Sequence, residues 1–168
     1  MFALTITLLL FPTIMAFAAS SDILTMTISN RFCLILIGGF FALALLNGMS
    51  GMEILMHASA GAIVLIGSFI CFAAGWIAGG DAKLAAATAL WFGFSHLMHY
   101  LLIASLFGGA LTLLIIQLRR YPLPYCLLDQ DWATRLHDGK CRVPYGVALA
   151  AGALFIYPET IWMKAVSM

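Results

Sequence analysis

The stretch Ile77-Ala78-Gly79-Gly80-Asp81-Ala82-Lys83-Leu84 lies between two long apolar runs and puts a carboxylate where the second of them begins. The whole chain of 168 residues is 64% hydrophobic and only 9% charged. Soluble domains carry about 25% charged residues, so these runs read as membrane helices. An ionisable group at the edge of the hydrocarbon is costly and by default marks a functional site. Gly79 and Gly80 carry no Cβ, which predicts a tight turn and close approach of another segment. One other acid, Asp22, sits at a comparable place just past the first apolar run. Asp22 and Asp81 are therefore expected to form a pair.

Working outward, apolar runs predict helices at 2–21, 32–47, 57–77, 82–95, 97–118 and 144–163. No period-two alternation occurs, so helices are the spanning solution. The fourth run is short, covering about 20 Å of a core about 30 Å thick. Charge decides whether it crosses. With six crossings, Arg31, Lys83, Arg119, Arg120, Arg135, Lys140 and Arg142 fall on one side and only Lys164 on the other. Basic residues concentrate on the cytoplasmic side. That favours an all-α membrane protein, a polytopic bundle of six transmembrane helices with both termini outside the cytoplasm. Residues 1–168 form one domain, and Asp22 and Asp81 share the cytoplasmic face. Asn47 to Gly51 is read as an outer turn, Ser95 to His99 as an outer hairpin, and 129–137 as a short surface helix. Gly38, Gly39, Gly61, Gly67, Gly108 and Gly109 are expected to permit close helix packing.

The composition also narrows the function. A net charge of +1 gives no footprint for nucleic acid. Cys33, Cys71, Cys126 and Cys141 are scattered without C-x-x-C spacing, so no zinc site is expected. His96 and His99 fall on the outer side and read as interfacial packing. Ala16 to Ser20 loosely matches a signal-peptidase site, but no Lys or Arg precedes Arg31, so the first run reads as a retained helix.

Two carboxylates side by side at a low-dielectric boundary cannot easily both ionise, so one keeps a proton. One acid can then act as general base on a water while its protonated partner polarises a carbonyl, the chemistry of aspartic proteases. Needing only two acids, it requires no metal or organic cofactor. The plainer alternative makes Asp22 a helix cap and pairs Asp81 with Lys83. A different class of function, a small proton-coupled transporter or channel subunit, would use the same acids as a relay. A relay needs ionisable groups along a path across the bilayer, and the middles of all six runs lack Asp, Glu, Lys and Arg.

The sequence around both acids adds to this reading. Ala78-Gly79-Gly80-Asp81-Ala82-Lys83-Leu84 resembles the G-x-G-D-x-K-L signature of type IV prepilin peptidases, which are GxGD-type intramembrane aspartic proteases. Ala18-Ala19-Ser20-Ser21-Asp22-Ile23 through Ile28-Ser29-Asn30 resembles that family's first acidic segment, which closes with I-P-N. Val143-Pro144-Tyr145-Gly146-Val147-Ala148 with Gly152 looks like the opening of its last helix. Size and topology are similar to the short, CpaA-like branch serving Flp (Tad) pili. The resemblance implies an aspartic endopeptidase of the bacterial inner membrane that cleaves leaders from prepilins and pseudopilins at the cytoplasmic face. It implies Asp22 and Asp81 as catalytic residues, with Gly79, Gly80, Lys83, Asn30, Tyr145 and Gly146 in support. Lys83 is expected to hold Asp81 ionised or to contact substrate, and Asn30 to bond backbone near Asp22. Ala78 stands in place of the motif's first glycine, and Ser29 in place of the proline, which is expected to loosen that turn. The paired C-x-x-C domain linked to N-methylation in larger relatives has no counterpart here, so only the peptidase activity is implied.

Overall fold

The computed structural model describes residues 2–139 and 141–163, with the side chains of residues 2–7 and Cys126 left aside. Lys140 and Lys164, two of the charges weighed above, lie outside the described residues. The chain is all-helical among the described residues: α1 Phe2–Thr25, α2 Asn30–Leu46, α3 Gly51–Ala73, α4 Gly79–Leu118, α5 Asp131–His137 and α6 Tyr145–Ile156. Three of these, α1 over Leu8–Thr25, α3 and α4, are long and apolar enough to cross a membrane, and α2 is a shorter apolar helix.

Local chemistry sets the helix starts, and it moves two of them from the expected positions. Ser29 caps α2: its side chain accepts the Arg31 N–H and its φ of −65° is one proline also adopts. The serine thus replaces the family's proline without loosening the turn, and α2 begins at Asn30 rather than at 32. Ser50 and Glu53 form a reciprocal capping box, so α3 starts at Gly51 and ends at Ala73 instead of running 57–77. The tight turn before α4 is made by Gly75 at φ +78°, not by Gly79 and Gly80, which are the first residues of the helix.

α4 is not one rod. Gly93 has φ 57° and ψ −174°, a region open essentially to glycine alone. The rings of Phe92 and Tyr100 stand 5.1 Å apart across this break. Asp81 and Thr112 line one cavity, although continuous helix between them would hold them roughly 46 Å apart. The chain therefore folds back at Gly93 into a first arm, 79–92, and a second arm, 94–118. The reversal expected at Ser95–His99 lies two residues earlier, because Gly93 can take that backbone and those side chains cannot.

The first arm is the axis of the bundle. α3 packs along it, with Gly61 against Ala86 and Leu90. α1 and α2 lie on its other faces, linked by the Thr88 hydroxyl on Met15 Sδ and by the Trp91 indole donating to the Leu36 carbonyl at 3.0 Å. The second arm packs on α6, where Gly152 meets the Ala104 backbone and Tyr145 lies over Gly108. Gly38, Gly67 and Gly109 face open space instead of a packed neighbour. α6 stops at Ile156 rather than 163, because Pro158 turns the chain into a short 3-10 segment.

Breaking a helix frees carbonyls. The Leu90 carbonyl lies 2.8 Å from His57 Nδ1, and the Trp91 carbonyl accepts the Trp162 indole N–H at 2.8 Å. Phe11, Phe40, Trp91, Tyr157 and Trp162 then close that end as a fully packed aromatic cluster.

Candidate active site

The other end of the first arm is built differently. α1 runs on through Ser20 and Ser21, which places Asp22 in its last turn. Asp22 is buried, and its Oδ2 accepts the Gly146 N–H at 2.7 Å, with the Val147 N–H also against the carboxylate. Both N–H groups belong to the first turn of α6, whose N-cap Pro144 offers no side-chain bond, although the Val147 N–H also reaches the Pro144 carbonyl at 3.3 Å. Asp22 thus caps a helix 124 positions away and places its charge at the end of the helix dipole that favours an anion. The cap reading of Asp22 holds, but for α6 and not for its own helix. Gly146 makes this possible: a Cβ there would stand 2.7 Å from Asp22 Oδ2 and 2.6 Å from Ile28 Cδ1.

Asp81 is the third residue of the first arm, buried, with its carboxylate directed back to the Ala78 N–H. Position three is where an acidic side chain caps its own helix. Ala78 cannot reciprocate, so Asp81 keeps acceptor capacity for a ligand. Gly80 lets Ile28 lie against the arm, and Gly79 faces the ring of Phe72.

Asp22 and Asp81 line one cavity of about 550 Å³, together with Met26, the 75–78 turn, Thr112, and the segment from Arg142 to Tyr145. Asp81 feels the charges of both Asp22 and Arg142. The expected pair therefore faces a common space large enough for several residues of an extended peptide. Tyr145, expected in support of the acids, is a wall of this cavity and interacts electrostatically with Asp81.

Two expected supporters stand elsewhere. Lys83 does not pair with Asp81; its Nζ donates to Asn30 Oδ1 at 2.9 Å, and both line a separate groove. One helical residue of about 100° separates successive side chains, so positions 81 and 83 point roughly 200° apart. Asn30 likewise opens α2 and bonds Lys83 instead of backbone near Asp22. Arg142, Thr112 and Trp76 are cavity residues that sequence reasoning passed over. Arg142 directly precedes the Val143–Ala148 block and could have been read with it. Thr112, like Ser105 in the same apolar run, bonds back to its own helix, its hydroxyl donating to the Gly108 carbonyl at 2.8 Å, and nothing in the sequence singles it out.

Among the described residues no three His, Cys, Asp or Glu side chains converge to hold a metal ion. Cys33, Cys71 and Cys141 are free thiols.

Comparison with curated proteins finds no match, and comparison with solved structures finds none either. The profile of the type IV leader peptidase family matches residues 9–113, a span that holds both acids and their flanking glycines and ends just before the long loop. That match covers more than half of the sequence, and the chain belongs to the type IV leader peptidase family.

Proposed function

We propose that this protein is an intramembrane aspartic endopeptidase that removes the leaders of Flp-type prepilins and pseudopilins at the cytoplasmic face of the bacterial inner membrane, supporting pilus assembly. The observation that carries the reading is the meeting of Asp22 and Asp81, 59 positions apart, on one cavity at the end of the first arm. One acid takes a proton from water, and the resulting oxygen attacks the scissile carbonyl carbon. The other acid holds its own proton on the carbonyl oxygen as it becomes an alkoxide, and the first acid then gives the proton it took from water to the amide nitrogen as the C–N bond breaks, leaving a free amine and a carboxyl group. Gly80 and Gly146 support this by letting Ile28 and Asp22 come close, Gly79 by making room for the Phe72 ring, and Tyr145 and Arg142 wall the space where the substrate backbone would lie.

The topology proposed with it has six crossings, counting the two arms of α4 separately. Arg31, Lys83, Arg119, Arg135 and Arg142 gather at the acid end: Arg119 ties the long loop down through the Leu136 and Cys141 carbonyls, and Arg142 enters the cavity. Basic residues at one end mark it as cytoplasmic. A prepilin presents a short basic leader on that side and an apolar helix in the bilayer, so its junction reaches the level of the acids. A glycine ending the leader keeps the junction extended, since glycine is the weakest helix former apart from proline. The transporter reading lacks support: among the described residues, the long apolar helices carry no Asp, Glu, Lys or Arg in their middles from which a relay could be built.

The deciding experiment compares the mature pilin N-terminus, by mass spectrometry, in matched strains with and without this protein. Loss of the mature N-terminus in the knockout is expected, and an identical N-terminus in both strains overturns the assignment.

A further inference from the structure

α2 and α3 both pack on the first arm of α4 and scarcely touch each other, which leaves a groove of about 480 Å³ on the outside of the bundle. Its walls are Leu34, Ile37 and Phe41 from α2 and Ala62 and Leu65 from α3, and its floor includes Ala87 of the first arm. Four of the wall residues, Leu34, Ile37, Phe41 and Leu65, are large and apolar yet exposed, so the groove opens sideways toward lipid. Only its acid-end mouth is polar. There Lys83 uses one of its three N–H donors on Asn30 Oδ1 and has no acidic partner among the described residues. Arg31, exposed, is the next residue along α2.

Size and charge together select the occupant. A methylene takes roughly 30 Å³, about the share of a water molecule in the liquid, so the 480 Å³ of the groove holds an acyl chain of about sixteen carbons. An apolar slot with the Lys83 cation at its mouth, and with exposed Arg31 one residue from the Asn30 that lines it, complements a molecule with an apolar chain and an anionic head. Lysine binds phosphate as a point charge, and interfacial Lys and Arg attract anionic lipid headgroups. We propose that this groove is a binding site for one anionic phospholipid, its acyl chain between α2 and α3 and its phosphate on Lys83 and Arg31. The site is separate from the cavity of Asp22 and Asp81 and does not depend on what that cavity does.

The test is native mass spectrometry of the full chain, released from micelles equilibrated with equal amounts of phosphatidylglycerol and phosphatidylcholine of identical acyl chains. One retained phosphatidylglycerol is expected, with a preference over phosphatidylcholine of roughly fivefold for each cation near the headgroup. Arg31→Gln with Lys83→Gln should bring the preference near unity, whereas Lys83→Arg should keep it. Ala62→Trp fills the slot without touching the charges and should remove retention of either lipid. Size-exclusion profiles matching wild type establish that each variant is folded; if the double variant is not, Ala62→Trp alone decides. Equal retention of both lipids by wild type, a preference that survives the double glutamine change, or undiminished retention in Ala62→Trp would each overturn the proposal. So would a bound peptide in place of lipid, which would assign the groove to a protein helix.

Discussion

The two ends of the first arm of α4 face opposite demands. At the Gly93 end the chain must reverse inside a low-dielectric bundle, and two of the carbonyls that the reversal frees find partners there. His57 and Trp162 take the freed carbonyls, and stacked rings fill the space. At the Asp81 end the arm begins with two glycines and a carboxylate beside a second carboxylate, and an open cavity of about 550 Å³ is left between them. One end is paired and closed, so its residues serve stability. The other keeps two buried acids with acceptor capacity to spare, which proteins retain where chemistry is done. A single short helix thus separates the packing problem from the site.

The contrast can be broken by substitutions at either end. The largest effect is expected at the acids: Asp22→Asn and Asp81→Asn keep shape and polarity but remove the acid, and each should lower prepilin cleavage by at least about 10²-fold while the protein still inserts. Near wild-type processing by either inserted variant would remove the acid end from the chemistry. Next comes Gly146→Ala. Its Cβ would press on Asp22 Oδ2 and Ile28 Cδ1, and displacing a reacting group by about 1 Å costs on the order of 10- to 100-fold in rate. A fall in cleavage without loss of thermal stability in detergent is the expected pattern.

At the closed end the pattern should invert. Gly93→Ala places a Cβ 2.9 Å from the His57 ring and forces alanine into a glycine-only backbone region, at a cost of about 1–3 kcal/mol. Its melting temperature should drop by several degrees, while cleavage per folded molecule holds. Trp162→Phe leaves the Trp91 carbonyl buried without its donor, a loss of about 1–3 kcal/mol. The smallest change is expected for His57→Ala, about 1 kcal/mol, because His57 is only half-buried and water can reach part of its site. If these closed-end variants lost activity while keeping their melting temperature, the division between the two ends would fail.

Sequence alone carried a good part of this. Composition fixed an all-helical membrane chain, because so little charge leaves no soluble surface. Asp22 and Asp81 were legible as a pair because ionisable residues are so scarce in the apolar background that their positions stand out. The capping pairs Ser50–Glu53 and Ser29–Arg31 were legible in principle too, being contacts between near neighbours.

What only the tertiary structure decided is contact between distant segments. The role of Asp22 as the cap of α6 depends on a chain reversal and four helices lying between them. Lys83 looked like a partner for Asp81 because the two are close in sequence, but helical geometry turns them to opposite faces, and Lys83 finds Asn30 instead. Arg142 entered the cavity because Arg119 pins the loop that carries it. The reversal was placed two residues late, since it needs a backbone that Gly93 alone can take there, with His57 and Trp162 from distant segments taking carbonyls that it frees. Local pattern determines which segments are helices and which residues are costly to bury, because those are properties of a residue and its near neighbours. Which costly residues meet is settled by packing, since it depends on the angles at which whole helices cross.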